Sequence, residues 1–483
     1  MAAIMENNTN GHSAITHPLL ISNAPHTTTS SFPVHSPATG KLLHHFSSAS
    51  ISDTTHAIES AQKAYPAWRS LPPQKKRDIF LRAAELLDSR RESLAKICAD
   101  ETGAPAGWAN FNLDLAADIL KDVAGRISSI VGTIPTTSTE GVSALVYKEP
   151  YGVILAIAPW NAPFILGIRS FAFALAAGNT AILKAPEFSP LCSHGMVSCL
   201  HDAGLPEGVL NLLAHAPSDA AAVTKHLIDD PRVKKINFTG STAVGKIISR
   251  LAGENLKPVL LELGGKAPAI VLEDADLPHA AMECAVGAFL HSGQICMSTE
   301  RIIVHSSIAD AFESEFVKAI QNFSPEGGEK GVLINKVGVQ KNARLLEDAV
   351  SKGAEIVYGD PKNGAEAKMS PVVVKGVKKD MELFYTESFG PTVSLMVVSS
   401  DEEAIELAND TEYGLSAAVF TKDLGRALRI ARQVESGAVH INGMTVHDET
   451  SLPHGGMKSS GYGRFGASGL EEWVRTKTVT FQD

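Results

Sequence analysis

GVILAIA at residues 152–158, TAILK at 180–184, VLNLLA at 209–214, VKKINFT at 233–239 and PVLLEL at 258–263 are five apolar runs within one stretch of the chain. Each has the length of a buried strand. Between them lie helical patterns, one after 158 and others over 189–203, 220–228 and 241–253. Strands alternating with helices of about 10–15 residues predict parallel βαβ units, hence a doubly wound sheet of the α/β class. In such sheets ligands lie outside the carboxyl ends of the strands. Four of these strands deliver a polar residue there: Asn161 after the first, Lys184 and Glu187 after the second, Gly240 and Ser241 after the fourth, and Glu262 in the fifth. That convergence on one edge carries more weight than any single motif.

Outward from this stretch the alternation resumes over 267–442, with strand-like runs at 267–272, 301–305, 392–398 and 417–421 and helical patterns around 279–291 and over 308–321. These predict a second α/β domain. Upstream, apolar spacing predicts helices over 54–68, 73–102 and 108–130. A polar turn followed by alternating residues over 131–149 predicts a protruding hairpin. The chain closes on a Gly/Ser-rich loop and a strand-like WVRTKTVTF. Roughly the first 17 residues are expected to be mobile. The expected division is a cofactor domain from 1–130 and 150–260, a catalytic domain over 261–455, and a bridging element from 131–149 and 470–483. Exposed edges on that last element would be covered in a homodimer or homotetramer.

Lys plus Arg total 43 against 53 Asp plus Glu, a net charge of −10. With no basic cluster, this argues against nucleic acid and anionic membranes as partners. The greasiest region, 152–182, is interrupted by Pro159, Asn161, Pro163 and Arg169 and does not read as a membrane span. Five cysteines with no CxxC predict neither a disulfide framework nor a zinc site, and a reducing compartment. The N-terminus lacks a signal peptide's charged start and apolar centre. A soluble cytoplasmic protein without a metal is expected.

Cys296 stands apart from the other cysteines, Cys98, Cys192, Cys199 and Cys284, which fall in apolar helical patterns and read as buried bystanders. Its context, HSGQICMSTER, is a polar loop at a helix end, where a thiolate can be favoured. Glu262 in LLELGGK sits at the buried end of a strand, where burial would raise its pKa and make it a usable base. INFTGSTAVGK, 236–246, is a strand, a tight turn at Gly240 and a helix reaching past Gly245, whose free N–H groups would suit a pyrophosphate. Glu187 at a strand end can accept ribose hydroxyls and repel a 2′-phosphate. The Asn161 amide can hold an oxyanion.

Taken in order, PWN at 159–161, KAPE at 184–187, FTGSTAVG at 238–245, ELGGK at 262–266, GQIC at 293–296, ESFGP at 387–391 and HGGMKSSGYGR at 454–464 resemble the aldehyde dehydrogenase superfamily over nearly the whole chain from about residue 30. The resemblance implies a Rossmann-type cofactor domain with a second α/β catalytic domain. It implies Cys296 as nucleophile, Glu262 as general base, and Asn161 with the Cys296 backbone N–H as the oxyanion hole. Trp160, Lys184, Glu187, Gly240, Ser241, Gly245, Glu387 and Phe389 would contact NAD, with NADP possible. Because Glu262 is present, the implied product is a free acid rather than a coenzyme A thioester.

The residues after Asn161, together with His454, would line the substrate funnel. Ala162 and Arg169 stand where many relatives carry bulky aromatics, and with Leu166 they resemble the vanillin, benzaldehyde and salicylaldehyde dehydrogenase branch. An aromatic aldehyde is the expected substrate, Arg169 either facing a ring hydroxyl or forming an ion pair. A semialdehyde or aliphatic aldehyde is the alternative, and a catalytically silent binding homologue a further one. Two departures stand out. His291-Ser292 replaces the usual Asn-Gln, and His454 replaces a phenylalanine packed near the cofactor, which would make activity more pH-dependent near neutrality.

Overall fold

All five quoted runs form strands in a computed structural model that describes residues 15–323, 329–466 and 469–483. The expectation of a mobile N-terminus concerns residues that lie, up to 14, outside the described ones. Val153–Ile157 is buried throughout, as a strand covered on both faces must be. The strand order is Gly461–Tyr462, Val259–Glu262, Val233–Thr239, Val153–Ile157, Thr180–Lys184, Leu210–Leu213, Leu19–Ile21 and Ala24–His26. The central five are parallel, with Ile157 opposite both Lys184 and Phe238, and Thr239 opposite Glu262. This register brings their carboxyl ends into one row. From Val153–Ile157 the chain runs outward to one side, then returns to continue on the other. The crevice at that reversal is where open α/β sheets bind ligands.

Pro163–Ala176 follows the first strand and is buried on every face, which its apolar sequence requires. Its start is eased by Pro163, whose missing N–H would be unsatisfied there in any case. Thr242–Glu254 follows the fourth strand, with the Ser241 hydroxyl capping it by accepting from the Val244 N–H.

The second sheet runs Glu355–Tyr358, Val372–Lys375, Thr392–Val398, Thr299–His305, Ala267–Val271, Ser416–Phe420 and Ala438–Ile441. It is parallel except at the first edge. Two expectations need correcting. The helix expected over 73–102 is two, Pro73–Ser89 and Arg91–Thr102, because Arg90 leaves the helical conformation at φ −104° and ψ 10°. Ile51–Ser70, by contrast, runs straight through Pro66. The 131–149 segment is not a self-contained hairpin. A bridge joins Thr133 to Val146, but Val142–Pro150 takes as its long partner the C-terminal strand Val474–Gln482, from Pro150 opposite Val474 to Val142 opposite Gln482. Among the described residues no helix is long and apolar enough to cross a membrane.

Candidate active site

Leu277–Phe289 ends in a turn whose residues His291, Ser292 and Gly293 all have left-handed φ, at 47°, 56° and 72°. The turn redirects the chain so that Cys296 meets the end of the first sheet. Gly293 is obligatory there, since a Cβ would lie 2.1 Å from the Gly390 carbonyl oxygen. Cys296 Sγ donates to Glu262 Oε1 at 3.1 Å. Glu262 is 1% exposed, so any proton it holds is cut off from bulk water.

Both expected pKa shifts run in the opposite direction. Burial alone would push the Glu262 carboxyl up, but His454, then Arg169 and the Cys296 thiol, outweigh it and hold the group below its ordinary range. The Cys296 thiol is pushed well up, first by burial and then by the Glu262 charge. The resting pair is therefore a thiol facing a carboxylate, an acceptor already aligned with the proton it would take.

Two cavities meet at Cys296, Asn161 and Leu166. The first, about 260 Å³, has apolar walls that include Trp108, Phe111 and Ile165, with Ala162 leaving space beside the sulfur. Its polar wall is Arg169, Asp448 and His454. Arg169 forms a buried ion pair with Asp448 and lies 5.5 Å above the Phe465 ring, so it is at once paired and part of the wall. The Asn161 amide donates to the Gln294 carbonyl at 2.9 Å, and Trp108 Nε1 donates to the Asn161 backbone carbonyl at 2.9 Å. These bonds fix the amide beside Cys296. His454 lies on this side of the sulfur, with Nε2 3.4 Å from Glu262 Oε1. It lines the same cavity as Ala162, Leu166 and Arg169, the residues expected on the substrate side.

The second cavity, about 250 Å³, is lined by Trp160, Gly240, Ser241, Gly264, Glu387 and Phe389 among others. Trp160 and Phe389 meet edge to face at 5.9 Å. Glu387 accepts the Gly265 N–H at 2.8 Å and is pushed up to about 7, mainly by burial and then by Glu300. A Cβ at Gly264 would lie 2.8 Å from Glu387 Oε2, so glycine leaves that carboxylate room. Aromatic walls, a carboxylate suited to ribose hydroxyls and a capped helix N-terminus make a fitting site for a dinucleotide. Three expected contacts fall outside this cavity: Lys184, which ends the strand Thr180–Lys184, Glu187 and Gly245. Glu187 lines a neighbouring groove with Phe188 and Pro217, beyond the end of Thr180–Lys184. Gly245 serves packing, since a Cβ there would lie 2.5 Å from Leu263 Cδ2.

The aldehyde dehydrogenase family model matches residues 24–479. The chain belongs to the aldehyde dehydrogenase family. Vanillin dehydrogenase of Pseudomonas fluorescens is 44% identical over 94% of each chain. Salicylaldehyde dehydrogenase of Pseudomonas putida is 38% identical over 92% of this chain and 93% of the relative. The crystal structure of a salicylaldehyde dehydrogenase from Pseudomonas putida G7 complexed with salicylaldehyde superimposes with a TM-score of 0.94 at 36% identity, covering 97% of this chain and 98% of the other. As a member of this family the protein is an oxidoreductase acting on aldehydes with a nicotinamide cofactor.

In this aldehyde dehydrogenase, sequence reasoning missed Asp448, Trp108 and the buried pair in which Lys266 Nζ donates to Glu300 at 2.6 Å. Glu300 in turn accepts the Ser388 and Phe389 backbone N–H groups, tying the Glu387 loop to the second sheet. Only the adjacency of Glu300 to the GQIC segment could have flagged it. For Asp448 the sequence held no signal, because the residues around it form no regular element.

Proposed function

We propose that the protein oxidises an aromatic aldehyde to its carboxylic acid with NAD, using Cys296 as nucleophile and Glu262 as base. The observation that carries this reading is the thiol aimed at a buried carboxylate where two cavities meet. The aldehyde carbonyl sits against Cys296 Sγ, and the thiol proton passes to Glu262 as sulfur bonds to carbon. The Asn161 amide and the Cys296 backbone N–H hold the resulting oxyanion; losing one such donor costs about 10²–10³ in rate. A nicotinamide bound against Trp160, Gly240, Ser241, Glu387 and Phe389 supplies the acceptor for the two electrons that aldehyde oxidation removes. Glu262 then takes a proton from the water that cleaves the Cys296 thioester, releasing the acid.

The flat walls of Trp108 and Phe111, the gap left by Ala162 and the aromatic substrates named for the relatives support a ring in the first cavity. A semialdehyde would bring a carboxylate needing a free cation. Arg169, the one Lys or Arg among the described residues lining that cavity, is committed to Asp448. Glu187, with Lys184 at the adjoining strand end, supports NAD over NADP by its charge. A panel of benzaldehydes, aliphatic aldehydes and semialdehydes, each with NAD and NADP, tests the reading. Ring aldehydes with NAD are expected to give the highest kcat/KM. Turnover of succinic semialdehyde above all ring substrates would overturn it. Cys296→Ala is expected to abolish turnover and leave NAD binding intact. For assembly, Tyr147, Val479 and Phe481 are exposed on the Val142–Pro150 and Val474–Gln482 ribbon, which supports pairing with a second copy; light scattering is expected to give a dimer or tetramer.

A further inference from the structure

Aldehyde oxidation at this site must export protons. Written in full, RCHO, H₂O and the oxidised nicotinamide give RCOO⁻, the reduced nicotinamide and two protons. The first is the thiol proton, lost as sulfur bonds to carbon. The sulfur recovers a proton from the water that cleaves the thioester, and that water's other proton leaves as the acid ionises. Each passes Glu262, which is 1% exposed.

Glu262 Oε1 has Cys296 Sγ at 3.1 Å and His454 Nε2 at 3.4 Å. The nearby Arg169 guanidinium is permanently charged and cannot take a proton. His454 Nε2 is buried, and the one polar contact it makes among the described residues is with Glu262 Oε1. The ring is held in place by the backbone, with the His454 N–H donating to Phe465 at 3.1 Å and the Phe465 N–H donating back at 2.9 Å. The His454 side chain keeps 12% exposure.

We propose that His454 is the proton carrier of the site, taking each proton from Glu262 Oε1 on its Nε2 and releasing it to solvent through the exposed part of its ring. In the transfer the Glu262 carboxylic acid and neutral His454 become carboxylate and imidazolium, and loss of that proton outward resets the pair. The charged and titratable groups acting on His454 are Glu262, Asp448 with Arg169 paired to it, and His440, whose ring meets that of His447 at 4.7 Å. The inference rests on the proposed roles of Cys296 and Glu262.

The test uses His454→Ala, His454→Gln and His454→Phe in the full-length enzyme, each checked by thermal melting. Turnover of a benzaldehyde at neutral pH is expected to fall about 10²-fold with little change in KM. Substituted imidazoles added to His454→Ala are expected to restore rate in order of their basicity. In His454→Phe the solvent deuterium isotope effect on kcat is expected to exceed that of the unmodified enzyme, since proton departure from Glu262 has become slow. Rescue that ignores basicity would show that the ring only fills space, and overturns the proposal. So does a His454→Phe enzyme with an unchanged pH–rate profile and isotope effect. Should His454→Ala fail to fold, His454→Gln carries the kcat and isotope-effect arms. Activity retained in Cys296→Ser would instead defeat the underlying reading of the site, a different result from failure of the relay.

Discussion

The Cys296 thiol is held up first by burial, then by the Glu262 charge and the hydrogen bond it accepts, while Arg169 pulls the other way. Glu262→Gln removes the second and third of these and leaves Arg169. The alkylation midpoint of Cys296 is therefore expected to move to lower pH in Glu262→Gln, even as turnover falls about 10²–10⁴-fold for want of a base. A midpoint that rises would mean that Glu262 is not the anion governing this thiol. Asp448 answers to the same logic of buried charge. Arg169 and Asp448 are 4% and 8% exposed, so Asp448→Ala strands a guanidinium in an apolar cavity wall. The expected cost is about 3–5 kcal/mol in urea unfolding, and Arg169→Met combined with Asp448→Leu should recover most of it. If Asp448→Ala unfolds at the wild-type midpoint, the pair carries no such weight.

The elements that hold these residues were unevenly legible. The strands ending near 158, 184, 239 and 262 could be read because a buried parallel strand is an unbroken apolar run, and its end is marked by the first polar residue. The left-handed turn at His291, Ser292 and Gly293 could not be read, because histidine and serine seldom adopt that backbone and only tertiary packing enforces it. The helix break at Arg90 carries no glycine or proline. The long partner of Val142–Pro150 lies at the far end of the chain, where no local pattern can announce it. His454 was legible as a departure, yet its neighbour was not, since Glu262 reaches it only through the strand pairing of Glu262 with Gly461. Close packing of these elements sets a further expectation. A Cβ at Gly265 would lie 2.0 Å from the Cys296 carbonyl oxygen. Gly265→Ala should thus leave circular dichroism unchanged but cut kcat at least about tenfold, because small displacements of a reacting group are costly. Full activity in that variant would show that the Cys296 loop yields freely.

At the scale of the molecule, the site exists because two sheets meet: Glu262 ends a strand of the first, and Cys296 lies just before Thr299–His305 of the second. Burying so much polar machinery leaves a mark on the whole fold's response to acid. His17, His194, His215 and His440 are each pushed down to about 4, and His291 to about 3, in every case mainly by burial. Their folded values lie below the ordinary 6.5, so in mild acid the unfolded chain binds protons that the folded one refuses. Stability from these groups is complete above about pH 6.5 and is lost as pH falls toward 4, each contributing a slope of up to about 1.4 kcal/mol per pH unit. Glu387 runs the other way, since a carboxyl pushed up to about 7 favours the fold at lower pH, but it is one group against five histidines. The melting temperature is therefore expected to fall steadily from about pH 6.5 to 4.5, with net proton uptake on unfolding measurable by calorimetry in buffers of different ionisation enthalpy. A melting temperature flat across that window, or net proton release, would mean that these histidines accept protons without unfolding, and that the packing around them opens in acid.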